Sequence, residues 1–196
     1  MKNALKWVLG CLGVGVLLIL GVCYFGYRQV KNMAGEGTPS VTIQAPANRV
    51  FANLADADSM AEWRTEGLGI RAKRKGLLHV GDTIVIQMRG PMQRENRSTW
   101  IVSDVKPERV FAVDLLGARG TFVASRRDSI VAYGESTQVF SSFAVQAGGA
   151  DSASGAGGMA MNLMRTAQKA QARMELGRLK AILQGDSVPP RPPQNP

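Results

Sequence analysis

The chain has 196 residues, 45% of them hydrophobic, 20% charged and 6% aromatic, with a net charge of +9. With the terminal segments set aside there is room for one core rather than two, and the composition excludes collagen-like, disulfide-scaffold and wholly disordered classes. Cys11 and Cys23 both lie in the first apolar stretch and His79 is the single histidine, so the rest of the chain contains no disulfide, cysteine nucleophile or Cys/His metal cluster, and neither metal nor cofactor is expected.

Trp7 to Tyr27 is a run of 21 residues without a charge. As a helix it would reach about 31 Å, the thickness of a bilayer's hydrocarbon core, with Trp7, Tyr24 and Tyr27 near its ends where amphipathic rings prefer the headgroup zone. A removable signal peptide would have a shorter apolar run ending at a small-x-small cleavage site, whereas this one ends Phe25-Gly26-Tyr27-Arg28. Residues 1–31 are therefore read as an N-terminal segment and transmembrane anchor. Lys2, Lys6 and the terminal amine outnumber Arg28 and Lys31 by about one charge, which orients the N-terminus inside and the domain outside, the periplasmic side of an inner membrane in a bacterium.

Residues 32–39 hold Gly35, Gly37 and Pro39 and read as a flexible linker, and a domain spans 40–184. Val41 and Ile43 alternate with Thr42 and Gln44 as a strand, and Pro46 suits the first turn of a helix whose Val50, Phe51, Leu54 and Ala55 share a face. Ser59-Met60-Ala61-Glu62 fits a capping box for a second short helix, with Asp58 also in a capping position. From Ile70 to Gln146 the period changes to two, with turn residues at Gly81-Asp82, Gly90-Pro91, Lys106-Pro107, Gly117 and Gly134-Glu135. Such short connections predict an antiparallel meander of five to seven strands. Ala147 to Gly158 reads as a mobile Gly/Ala/Ser loop able to gate a cavity, and Met159 to Leu183 as one long helix ended by Gly185. Residues 185–196, with five prolines, read as a disordered tail.

Four pieces of sequence in the right order resemble the START-like (SRPBCC) superfamily, which includes Bet v 1-type allergens and polyketide cyclase/dehydrase proteins. They are Ala45-Pro46-Ala47-Asn48-Arg49-Val50-Phe51 after the first strand, with Trp63 following; Val80-Gly81-Asp82; Trp100 through Val110 with its Lys106-Pro107 corner; and the Gly134-Glu135-Ser136-Thr137-Gln138-Val139 hairpin. The resemblance covers about Val41 to Leu183 and implies an α+β helix-grip fold, a curved antiparallel sheet wrapped around a long C-terminal helix, with two short helices after strand 1. It also implies an elongated cavity between sheet and helix for an apolar molecule.

The expected cavity walls are Ile84, Ile86, Met88, Trp100, Val102, Val139 and Phe143 on the sheet, Met60 and Trp63 on the second short helix, and Leu163, Met164, Ala167 and Met174 on the long helix. Methionine is abundant near that helix, with Met159 and Met161 besides, and flexible thioethers tolerate varied ligand shapes, although Met and Leu at helical spacing equally serve as core filler. No catalytic residue is assigned: His79 reads as a surface histidine beside a turn, Asp56 and Asp58 could pair as carboxylates but Asp58 and Ser59 sit where helix-start residues are expected, and the glycines before the last helix lack the lysine and Ser/Thr of a phosphate loop. Arg71, Lys73, Arg74 and Lys75 form the densest cationic run. Without interleaved aromatics it points away from nucleic acid and toward anionic headgroups, or simply to a solvated strand edge.

Three functions remain open at this point. The first is a membrane-anchored binder of a hydrophobic small molecule or lipid. The second is a polyketide cyclase-like enzyme, which two or more buried titratable groups facing the cavity would favour. The third is a cavity-less protein-interaction module. Ligand identity and oligomeric state are not legible.

Overall fold

The computed structural model describes residues 37–65, 69–89, 95–117, 122–145 and 155–189, together with Gly21, Tyr24 and Arg28; side chains at 88, 89, 95, 96, 122 and 155–161 fall outside that description. From Ser40 onward the described residues form seven strands and three helices in the order β1 (Ser40–Ile43), α1 (Ala47–Ala55), α2 (Ala57–Trp63), β2 (Gly69–Ala72), β3 (Thr83–Arg89), β4 (Glu95–Lys106), β5 (Val110–Leu116), β6 (Phe122–Tyr133), β7 (Ser136–Val145) and α3 (Gly155–Gln184). The sheet order is β1-β7-β6-β5-β4-β3-β2. Every pairing is antiparallel. β2 to β7 is thus a meander, and β1 closes against its last strand. Among the described residues no helix is long and apolar enough to cross a membrane, and the Trp7–Tyr27 stretch lies almost wholly outside them.

The turns follow the local chemistry. Lys106-Pro107-Glu108-Arg109 is closed by the Arg109 amide donating to the Lys106 carbonyl. Pro107 presets the first central position and leaves Glu108 at φ 58°, the left-handed region where a side chain is strained. β4 carries a bulge between Val102 and Asp104, which keeps Trp100, Val102 and Val105 on the inner face. α1 opens one residue after Pro46, whose carbonyl accepts from Arg49 and Val50. α2 corrects the capping expectation: Asp56, rather than Asp58 or Ser59, is the N-cap, its Oδ1 accepting from the Ser59 amide at 2.8 Å. The expected box starting at Ser59 fails because the helix has already begun two residues earlier.

α3 starts at Gly155, so Gly155, Gly157 and Gly158 belong to the helix and not to the loop expected up to 158. The rest of that loop, up to residue 154, is outside the described residues. At the other end Gly185 at φ 73° lets Asp186 N–H reach back to the Ala181 carbonyl, a Schellman stop at the expected glycine. Arg178 then donates to the carbonyls of Glu62 and Pro189, tying the helix end to α2 and to the start of the proline-rich tail.

A single apolar cluster joins the sheet to all three helices: Ile43, Val50, Phe51, Leu54, Met60, Trp63, Ile84, Ile86, Trp100, Val102, Phe111, Val113, Ile130, Val139, Leu176, Leu179 and Leu183 are all buried within it. Trp63 Nε1 donates to the Asn53 carbonyl at 3.1 Å and locks α2 on α1. Burial of such side chains, at about 25 cal/mol per Å² of apolar area, is the main stabilising term.

Candidate functional site: the concave face beneath the last helix

In an antiparallel ladder, directly paired residues project on the same side. One inward row therefore reads Ile84, Trp100, Leu115, Ala124, Val145, and the next Val102, Val113, Arg126, Phe143. A third row reads Val105, Phe111, Asp128, Ser141. Two charged residues from β6 thus stand in the middle of an otherwise apolar concave surface.

Arg126 is 1% exposed and its Nε donates to both oxygens of Asp128, also 1% exposed, at 3.2 and 3.0 Å. Its NH1 donates to Glu175 Oε2 on α3. Glu175 Oε1 accepts from the Thr65 amide at 3.1 Å, the Thr65 hydroxyl at 3.2 Å and Gln171 Nε2 at 3.1 Å. The Arg126 guanidinium carbon lies 5.6 Å from the Trp63 ring centre and 5.2 Å from that of Phe143, within cation–π range of both. This network clamps β6, the segment after α2, and α3 together.

Burial alone pushes the Glu175 carboxyl up, but the charges of Arg126 and Arg64 and the hydrogen bonds from Arg126 and Gln171 together outweigh it, so the group is held below its ordinary value. A general base works best with a pKa near the operating pH. Glu175 is ionised at neutrality and accepts four hydrogen bonds, while both oxygens of Asp128 are turned to Arg126. Buried titratable groups are therefore present on the concave face, as an enzyme would need, and here they are paired with one another in an ion network that joins β6 to α3.

On either side of this network the interior differs. Along β7, Thr137, Val139 and Ser141 are buried while Phe143 and Val145 are half-exposed. β5 runs from buried Val110 to half-exposed Leu116. α3 is buried at Ala172, Glu175, Leu176, Leu179 and Leu183 but open toward its start, where Leu163 is 47% and Met164 49% exposed. Register puts Leu115 and Val145 in one row, and Glu175 on Arg126 fixes the direction of α3, so all three elements lose burial toward the same end. The fold has a filled base, a charged floor at Arg126 and an opening end.

Against this geometry, the expected wall residues Met60, Trp63, Ile84, Ile86, Trp100, Val102 and Val139 are buried on the inner side, most of them in the filled base. Phe143 is half-exposed at the opening end, and the side chain of Met88 lies outside the described residues. The helix residues need correction. Leu163, Met164 and Met174 are exposed, as is Ala167, and the buried stripe is Ala172, Glu175, Leu176, Leu179, Leu183; Met164, about three turns before Glu175, shares that face at the opening end. The expected stripe was drawn through the methionines, whereas the true one passes through a glutamate that hydropathy assigns to solvent. Arg126, Asp128 and Glu175 were missed for the same reason. Their one available signal was period: positions 124, 126, 128 and 130 alternate inward along a strand that the charges interrupt.

His79 is exposed in its turn, its amide donating to Asp82 Oδ2 at 2.8 Å. Arg71, Lys73, Arg74 and Lys75 are all exposed on and just after the edge strand β2. Among the described residues no group of His, Cys, Asp and Glu is arranged to hold a metal ion.

Residues 35–184 match the family described as polyketide cyclase/dehydrase and lipid transport. The chain belongs to this family. None of the curated proteins matches the sequence. Similar solved structures share the fold of this family member. One is a Staphylococcus aureus protein of unknown function, 8% identical, covering 74% of this chain and 92% of its own at a TM-score of 0.57. Another is an Arthrobacter aurescens protein, 15% identical, covering 76% and 85% at 0.54. Ara h 8.0201, 8% identical, covers 75% and 95% at 0.52 and supports the Bet v 1-like, SRPBCC architecture.

Proposed function

We propose that this family member binds a hydrophobic small molecule or lipid at the opening end of the concave face, above the Arg126 floor and below the first half of α3. The observation that carries the reading is the concerted loss of burial on β5, β7 and α3 toward one end. Leu115, Phe143 and Val145 leave apolar surface there, and Trp100 borders it in the Leu115 row. An apolar body covering these groups would gain about 25 cal/mol per Å² buried. The family description, which includes lipid transport, agrees with such cargo.

The pairing of Arg126 with Asp128 and Glu175, which holds the Glu175 carboxyl below its ordinary value, favours binding over catalysis. We further read Trp7–Tyr27 as a bilayer anchor with the domain on the outer, periplasmic face. Arg71, Lys73, Arg74 and Lys75 would then meet anionic headgroups, each worth about 1 kcal/mol near the surface. A reporter enzyme active only outside the cytoplasm, fused after Pro196, tests that orientation by its activity. Native mass spectrometry of the full chain extracted from cells tests the cargo: a bound apolar molecule is expected, and a spectrum of bare protein alone, with no uptake of added lipid, selects the cavity-less interaction module.

A further inference from the structure

At the sheet edge, between the residues that lead into β1, strand β7 and helix α3, lies a pocket of about 150 Å³. Arg165, Gln168 and Lys169 line it from α3, Thr38 and Pro39 from the entering chain, and Ser141, Ser142 and Phe143 from β7. Arg165 and Lys169 are one helical turn apart and therefore share a face. Neither has an ion-pair partner among the described residues. Among the described residues no acid lines the pocket. The nearest carboxylate by register, Asp128 opposite Ser141, is turned to Arg126.

Two polar atoms in this lining are buried without a partner. Ser141 is 0% exposed, and its Oγ has no hydrogen-bond partner; the same holds for the buried Oε1 of Gln168. Buried polar atoms are rarely left in this condition, so a pair of them in one cationic pocket points to a missing ligand. That ligand must accept from a hydroxyl and two cations and donate to an amide oxygen. Hydrogen phosphate keeps a P–OH throughout the neutral range, and a phosphate monoester, with a second pKa of about 6, keeps one in part, so both can do this. Sulfate is fully deprotonated there and cannot donate.

We propose that this pocket is a binding site for a phosphate group carrying a P–OH, either free phosphate or the monoester end of a lipid. Arg165 and Lys169 supply charge, Ser141 Oγ donates one hydrogen bond, and Gln168 Oε1 accepts the P–OH. The site shares Phe143 with the apolar site proposed above, and inorganic phosphate tests it without any apolar ligand.

Calorimetric titration of the full chain in maltoside micelles tests it with inorganic phosphate, sulfate, dioctanoyl phosphatidic acid and, as the phosphate-free control, dioctanoylglycerol. Saturable binding of phosphate, of phosphatidic acid or of both is expected, and which of them binds identifies the source. Sulfate should bind at least about tenfold more weakly, and Ser141→Ala and the double variant Arg165→Gln/Lys169→Gln should each weaken phosphate binding about tenfold or more. Ser141→Ala should leave the thermal midpoint without phosphate unchanged, because its hydroxyl has no protein partner to lose. No saturable binding by either phosphate species, equal binding of sulfate, or equal affinity in the variants overturns the proposal.

Discussion

Arg126 and Glu175 are 49 residues apart in sequence, one on a strand and one on the last helix, and they meet in a charge-assisted hydrogen bond with no access to water. The bond joins the two halves of the grip. Charges taken so far out of water persist only when they are paired and hydrogen-bonded, and the surroundings of this pair supply further partners. Asp128 pairs with Arg126, and Thr65 and Gln171 donate to Glu175.

Removing one member of this set should therefore be costly. Glu175→Gln keeps the shape and removes the charge, leaving Arg126 with Asp128 alone, and is expected to lower unfolding stability by about 3 kcal/mol. Urea unfolding followed by circular dichroism measures it. A loss below about 0.5 kcal/mol would show that the bond contributes little.

Acid should act through the same group. Glu175 has a depressed pKa in the folded state, so its ionised form stabilises the fold above the unfolded value of 4.5, and that contribution disappears as pH falls through the lower folded value. Stability of the native chain is expected to decline as pH drops below about 5. Glu175→Gln should decline less steeply over the same window, and parallel acid limbs in the two proteins would contradict this assignment.

The inward face of α3 predicts an asymmetry between leucines on one helix. Leu179→Ala opens a cavity in the filled base and should cost about 3 kcal/mol, whereas Leu163→Ala, at a position 47% exposed, should stay within about 0.5 kcal/mol. Equal losses would place the helix face elsewhere.

Glu108 offers a gain. Its φ of 58° at the second central position of the Pro107 turn suits glycine. Glu108→Gly is expected to be neutral or to stabilise by up to about 1 kcal/mol, despite the greater freedom of glycine in the unfolded chain. A thermal midpoint lowered by several degrees would show that the side chain has a role its exposure does not indicate.

How far the sequence alone reaches can be seen residue by residue. Strand alternation at Ile84, Ile86, Trp100 and Val102 and the turn chemistry at Pro107 and Gly134 sufficed for the antiparallel meander, and Pro46 and Gly185 marked two helix ends. The resemblance of four motifs in order reached the family. β6 was legible only at its start, because buried Arg126 and Asp128 look like solvent residues and break the hydrophobic pattern. The same blindness hid Glu175 and moved the expected helix face toward Leu163, Ala167 and Met174. A charge is recognisable as buried only when its partner is known, and here the partners come from segments far apart in the chain.

The central claim is that an apolar molecule lodges beside Trp100, above the Arg126 floor. Tryptophan fluorescence of a full-length Trp7→Phe variant, titrated in maltoside micelles with a doxyl-labelled fatty acid, addresses it directly, since the remaining emission comes from Trp63 and Trp100. Saturable quenching is predicted, most of it removed by Trp100→Phe and its midpoint raised at least about tenfold by Leu115→Arg. Quenching that never saturates, or that is indifferent to both substitutions, would contradict the account.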